Sequence, residues 1–119
     1  GILAGCFCYL AIVWKGKFGY DDSLDVVGIH GVGGAVGILA TGLLASKAVN
    51  SAGADGLFFG NPAQFGVQAL TVLAVAMFSF VGTYVLLKLV DGMTGLRISP
   101  EDEAIGLDLS QHNERAYSQ

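Results

Sequence analysis

Between Asp55 and Lys88 the chain carries 32 consecutive uncharged residues, 56 to 87, and Ala69 to Leu87 is almost continuously apolar. About 20 apolar residues suffice for a helix to cross the roughly 30 Å hydrocarbon core of a bilayer. A backbone in lipid must satisfy its own hydrogen bonds, which leaves helices and closed barrels. The run lacks the two-residue alternation of a barrel strand, so it predicts a spanning helix. Asn61-Pro62 supplies a cap and a first-turn proline for it. Composition agrees: charged residues are 13%, against about 25% in soluble domains, and mean hydropathy is +0.61.

Two further segments have the same character. Gly1 to Trp14 holds no charge, but 14 residues span only about 21 Å, so the rest of that helix is expected upstream. Leu24 to Ser46 is long enough to cross, with Asp25 and His30 its ionisable groups. The expected fold is all-α, a polytopic membrane chain with helices at about 1–14, 24–46 and 65–90. Residues 1–95 form its membrane part and 96–119 a polar tail. The opening Gly1-Ile2-Leu3-Ala4 has neither initiator Met nor a basic leader, so we expect a C-terminal fragment of a longer protein.

Lys15 and Lys17 lie in the first connection and Lys88 and Arg97 beside the end of the third helix, whereas Lys47 stands alone in the second connection. The excess of Lys and Arg on one side predicts a cytoplasmic C-terminus. In the tail, Ser99-Pro100-Glu101-Asp102-Glu103 reads as a helix start, with a serine cap, proline at the first position and acids at the positive dipole end. Gly106 is expected to stop it. A tail with a cap and a stop suits docking better than a solvated terminus does.

Few residues could carry chemistry. There is no metal constellation, no nucleophile with an adjacent base and no phosphate loop, so neither enzyme activity nor a cofactor is expected; the net charge of -4 argues against nucleic acid. Cys6 and Cys8 read as packing residues. His30 is the exception. With the second helix starting near Ser23, it sits about 10 Å along it, in a region where ionisable groups are costly and usually face a cavity. A neutral imidazole there offers one donor and one acceptor to a small polar species or a proton, or it bonds a neighbouring helix. Around it, Gly33 and Gly37 stand at the four-residue spacing of close helix packing, with Gly34 beside them. Asp21, Asp22 and Asp25 suit capping of that helix, and Asp25 could also hold Lys15, Lys17 or Arg97 and couple the tail to a pore.

Three ordered motifs resemble one family. Gly19-Tyr20-Asp21-Asp22-Ser23-Leu24-Asp25-Val26-Val27-Gly28-Ile29-His30-Gly31-Val32-Gly33-Gly34, followed by Thr41-Gly42, resembles the ammonium transporters (Amt, Mep and Rh proteins), the Amt/Mep branch in particular. Phe59-Gly60-Asn61-Pro62-Ala63-Gln64-Phe65 is similar to the entry to that family's last helix. Leu89-Val90-Asp91, Gly95-Leu96-Arg97, Glu101 to Glu103, Gly106-Leu107-Asp108, His112 and Glu114-Arg115-Ala116-Tyr117 look like its tail.

The resemblance implies eleven helices, of which these are the last three, a homotrimer with one pore per subunit, and a cell-membrane location. It implies transport of ammonium or ammonia, with methylammonium as an analogue. His30 matches one of two pore histidines that share a hydrogen bond, the other lying on an earlier helix, and Val26 matches a pore-lining position. The tail, with Arg97, Gly106, Asp108 and Tyr117, is implied to touch a neighbouring subunit's inner face and PII-type signal proteins. An ammonium sensor that signals through this tail is the alternative. One departure stands in the tail: Asn113 occupies a position where the family commonly has glycine. Asn tolerates a left-handed backbone, so the turn is expected to survive. Trp14 reads as an interfacial anchor.

Overall fold

The structure, a computed structural model, describes residues 1–115. The described residues are helical, without strands. α1 spans Ile2–Phe18, α2 spans Gly33–Leu44, α3 spans Pro62–Thr94, and two short tail helices, α4 and α5, span Pro100–Ile105 and Leu107–His112. A π-helical stretch, Val27–Val32, leads directly into α2. Among the described residues two segments are long and apolar enough to cross a membrane: Val27–Leu44 and Pro62–Thr94.

α1 is longer than its uncharged stretch. It gains a turn downstream, because Lys15 and Lys17 continue the helix instead of ending it. Lysine is a good helix former, and its ammonium can reach out from an apolar stem. Gly19 stops the helix in the left-handed conformation, φ 65°, and its N–H bonds the Lys15 carbonyl. At 17 residues α1 extends about 26 Å.

The second helix is shorter than expected, beginning at Val26 and ending at Leu44 rather than running from 24 to 46. Asp22 sets its start. One carboxylate oxygen accepts from the Val26 N–H at 2.8 Å and the other from Val27 at 2.9 Å, which satisfies two of the donors a helix start leaves unpaired. The chain reaches this point through Asp25 at φ 55°, a left-handed conformation in which Asp is among the better tolerated residues.

α3 exceeds its expected 65–90 at both ends, since Pro62 occupies the first helical position and the stretch Lys88 to Thr94, which carries Lys88 and Asp91, stays helical. Its 33 residues extend about 50 Å. The chain divides into two compact units, Gly1–Met77 and Phe78 onward. The division falls inside α3, whereas composition changes only near residue 96.

In the first unit, α1 packs along the π stretch and α2. Its side chains Ala4, Cys8, Ala11, Ile12 and Lys15, spaced by three and four, are the partly covered ones. Among the described residues three are buried, and all are glycines: Gly28, Gly42 and Gly56. Large side chains line the outside of this unit, among them Leu70, Leu73 and Met77, each more than 60% exposed, as suits a lipid or helix-facing surface.

The connection from Ala45 to Asn61 is irregular apart from a 3-10 turn at Leu57–Phe59, but it is a built one. The Asp55 carboxylate accepts from the Lys47 N–H at 2.7 Å, and Gly56 donates to the Ala45 carbonyl at 2.7 Å. A Cβ on Gly56 would lie 2.7 Å from the Leu43 carbonyl oxygen, so only glycine fits there.

In the second unit, Asp91 closes the end of α3. Its carbonyl accepts from Gly95 and its carboxylate from Leu96 at 3.2 Å, with Gly95 left-handed at φ 76°. The Ser99 hydroxyl accepts from the Asp102 N–H at 3.1 Å and caps α4 as the sequence predicts. Gly106, at φ 103°, ends it.

Candidate functional site around His30

The ground of the site is the start of the second helix. Asp22 holds the first turn by its two backbone contacts, and its carbonyl accepts from Lys15 Nζ at 2.7 Å. Lys15 also pairs with the Asp25 carboxylate. Of the three cations considered for Asp25, the last turn of α1 supplies the partner. Asp22 and Asp25 therefore tie α1 to the second helix from the same side as the helix start.

His30 lies four residues into the helix, about 6 Å along it rather than 10 Å, because the helix begins at Val26. It sits within the π stretch Val27–Val32. Within the described residues His30 is exposed, as is Val26 at 47%. Within this chain α1 covers a different part of the helix, and nothing described here covers His30. An imidazole in that position is open to whatever packs or passes beside the second helix.

The glycines divide by what a side chain would meet. A Cβ on Gly28 would come 3.1 Å from Ile12 Cγ1 and 3.5 Å from its backbone nitrogen; a Cβ on Gly33 would come 2.9 Å from Cys8 Sγ. These two let α1 approach. Gly34 and Gly37, read from the sequence as packing positions, would meet nothing within 4 Å in this chain. Gly42, noted only within a motif, is the place where α2 meets α3, with Gln68 and the Phe65 Cα 3.1 Å from a notional Cβ. Gly28 and Gly33 are five residues apart. The four-residue rule missed the pair because it presumes an α-helix, whereas the π stretch follows an i to i+5 register.

Cys8 fits the reading of a packing residue and adds a polar contact, its thiol donating to the Ile29 carbonyl at 3.5 Å. Trp14 is 51% exposed on α1, in keeping with an outward-facing aromatic.

The tail residues belong to the second unit. Arg97 and Glu103 lie 4.0 Å apart, both well exposed, a pair worth little to stability. A Cβ on Gly106 would come 2.8 Å from Asp108 Oδ1, on top of its positive φ. The Asp108 carbonyl accepts from Glu114, and the Ser110 hydroxyl donates to the Asp102 and Gly106 carbonyls, which binds α5 back onto α4. Asn113 takes the left-handed conformation at φ 53°, so the expected turn survives without glycine. Tyr117 lies outside the described residues.

Comparison with known proteins meets this geometry. The profile of the Ammonium Transporter Family matches residues 1–117. The chain is 47% identical over 118 residues to an ammonium transporter of Bacillus subtilis, covering 98% of this chain and 29% of that protein. It is 46% identical to ammonium transporter Amt1 of Archaeoglobus fulgidus, covering 99% of this chain and 30% of the relative. It is 44% identical to ammonium transporter 1 of Dictyostelium discoideum, over 98% of this chain and 26% of the relative. The chain thus spans a little under a third of the length of these relatives, all of them named as transporters. With a family profile matched from end to end of its helices and tail, this chain belongs to the ammonium transporter family.

Proposed function

We propose that this chain is part of an ammonium transporter and supplies one imidazole, His30, to a hydrophobic pore. The carrying observation is the position of that imidazole: exposed, on a helix held by glycine contacts and two aspartates, in a chain of the ammonium transporter family. Ammonium holds its water strongly, so moving the intact cation through an apolar tube is prohibitive. Removing its proton leaves neutral ammonia, which a dry passage can pass. A neutral imidazole can accept a hydrogen bond from ammonia and take part in relaying the proton. A second histidine, from a helix outside this chain, completes the pair, and Val26 lines the same passage one turn before His30.

In this reading α1, the Val26–Leu44 helix and α3 are the last three membrane crossings of a multi-pass protein in the cell membrane, with the lysine-rich side and the tail in the cytoplasm. The complete protein is a homotrimer. Residues 96–119 form the regulatory tail, in which Arg97, Gly106, Asp108 and Tyr117 engage the inner face, and PII-type signal proteins dock against the same side. Gly34 and Gly37, open in this chain, serve as contact positions for helices outside it.

Labelled methylammonium uptake in cells without ammonium transporters of their own, supplied with the complete protein, tests the reading. Uptake that unlabelled ammonium suppresses is the expected result. A well-expressed protein that binds a signal protein in response to ammonium, yet moves none, would overturn it in favour of a sensor.

A further inference from the structure

We infer that Cys8 and Gly33 are positioning residues for His30: they fix the π stretch whose geometry sets the direction of the imidazole. This rests on the reading of His30 as a pore residue. An α-helix turns once in about 3.6 residues, and a π turn holds more. Residues five apart, which an α-helix would rotate well away from each other, therefore come toward one side. Gly28 and Gly33 are such a pair, and both face α1, one against Ile12 and the other against Cys8. The π stretch between them is what lets both glycines contact α1 at once. Its other consequence falls on His30, which lies between them and is turned to the uncovered side.

A π stretch inside a helix needs something to hold it, since its hydrogen bonds compete with the α register. Cys8 meets that need twice. Its thiol donates to the carbonyl of Ile29, the residue immediately before His30, at 3.5 Å. A carbonyl has two lone pairs, so it can take this donor beside a helical one. The same sulfur occupies the space where a Gly33 side chain would be, 2.9 Å from a notional Cβ. A methyl at Gly33 would push the sulfur aside and break its bond to Ile29.

The test compares three variants in the complete transporter: Cys8→Val, which keeps the bulk and removes the donor; Cys8→Ser, which keeps a donor; and Cys8→Ala, which removes both and guards against misfolding of the valine variant. The readout is selectivity, the ratio of apparent affinities for methylammonium and ammonium, at matched membrane abundance. Loss of one interhelical hydrogen bond corresponds to about a threefold change. Cys8→Val and Cys8→Ala are expected to shift the ratio by about that much, with Cys8→Ser close to the parent. A purely structural cysteine would change abundance and leave the ratio alone. His30→Ala, measured alongside, separates the two levels. If it leaves the ratio unchanged, the pore-histidine reading fails and this inference falls with it. If it changes the ratio while Cys8→Val and Cys8→Ala do not, the pore histidine stands and the inference is wrong.

Discussion

The second helix and α3 can both cross a bilayer, but they are built to opposite plans. α3 runs unbroken for 33 residues, and its glycines Gly66, Gly82 and Gly92 would meet nothing in this chain if given side chains. The second helix is shorter, begins on an aspartate and a left-handed residue, spends its first turns in a π register and buries two glycines. By hydropathy α3 is the better membrane span. By chemistry it is the poorer candidate site, because an apolar and regular helix offers a small polar species nothing to bind. The proposed site lies where helical regularity is given up, and the π stretch with its flanking glycines is how this chain gives it up.

The contrast can be broken most forcefully at the close contact. Gly33→Leu in the complete protein should overpack the α1 contact at a cost of about 1–3 kcal/mol or more and lower the melting temperature in detergent. Gly92→Ala on α3, where a side chain has room and alanine is the better helix former by about 1 kcal/mol, should leave melting unchanged or raise it. Equal losses from both would erase the distinction between the helices.

A smaller effect sharpens the role of the helix start. Asp22→Ala strips the acceptor from two backbone N–H groups and should cost about 1 kcal/mol, read as a lower melting temperature. Asp22→Asn should recover part of it, since an amide oxygen still accepts. If the asparagine variant were no better than alanine, the cap would not be what Asp22 contributes.

Smallest is the tail. Ser99→Ala removes the α4 cap at a cost of about 0.5 kcal/mol, confined to the second unit. Membrane abundance should stay at the parent level while the response of uptake to a signal protein changes. Reduced insertion into the membrane would place the tail in folding instead of regulation.

Much of this architecture is legible in the sequence, for physical reasons that also mark where legibility ends. The apolar runs give the helices because lipid permits little else, and Ser99-Pro100 with Gly106 gives α4 because caps and stops are local chemistry. Helix ends are poorly legible where lysine stands: Lys15 and Lys17 look like the end of α1, but their long stems let the helix continue to Phe18. The site is half legible. His30 stands out as an ionisable group in an apolar segment, and Asp22 and Asp25 stand out as candidates for its start. The π stretch is not visible in a pattern read at α-helical spacing, so Gly33 and Gly37 look like the packing pair while Gly28 and Gly33 are the ones in contact. What packs against His30 is equally hidden, because burial depends on neighbours that spacing along one chain does not reveal.

The central claim is that His30 handles the ammonium proton in the pore. It is tested most directly by His30→Ala in the complete transporter, expressed in cells lacking ammonium uptake, with labelled methylammonium and potassium uptake measured together at matched abundance. The account predicts that methylammonium uptake is lost or that potassium now competes with it. A variant with the parent's rate and the parent's discrimination against potassium would contradict it.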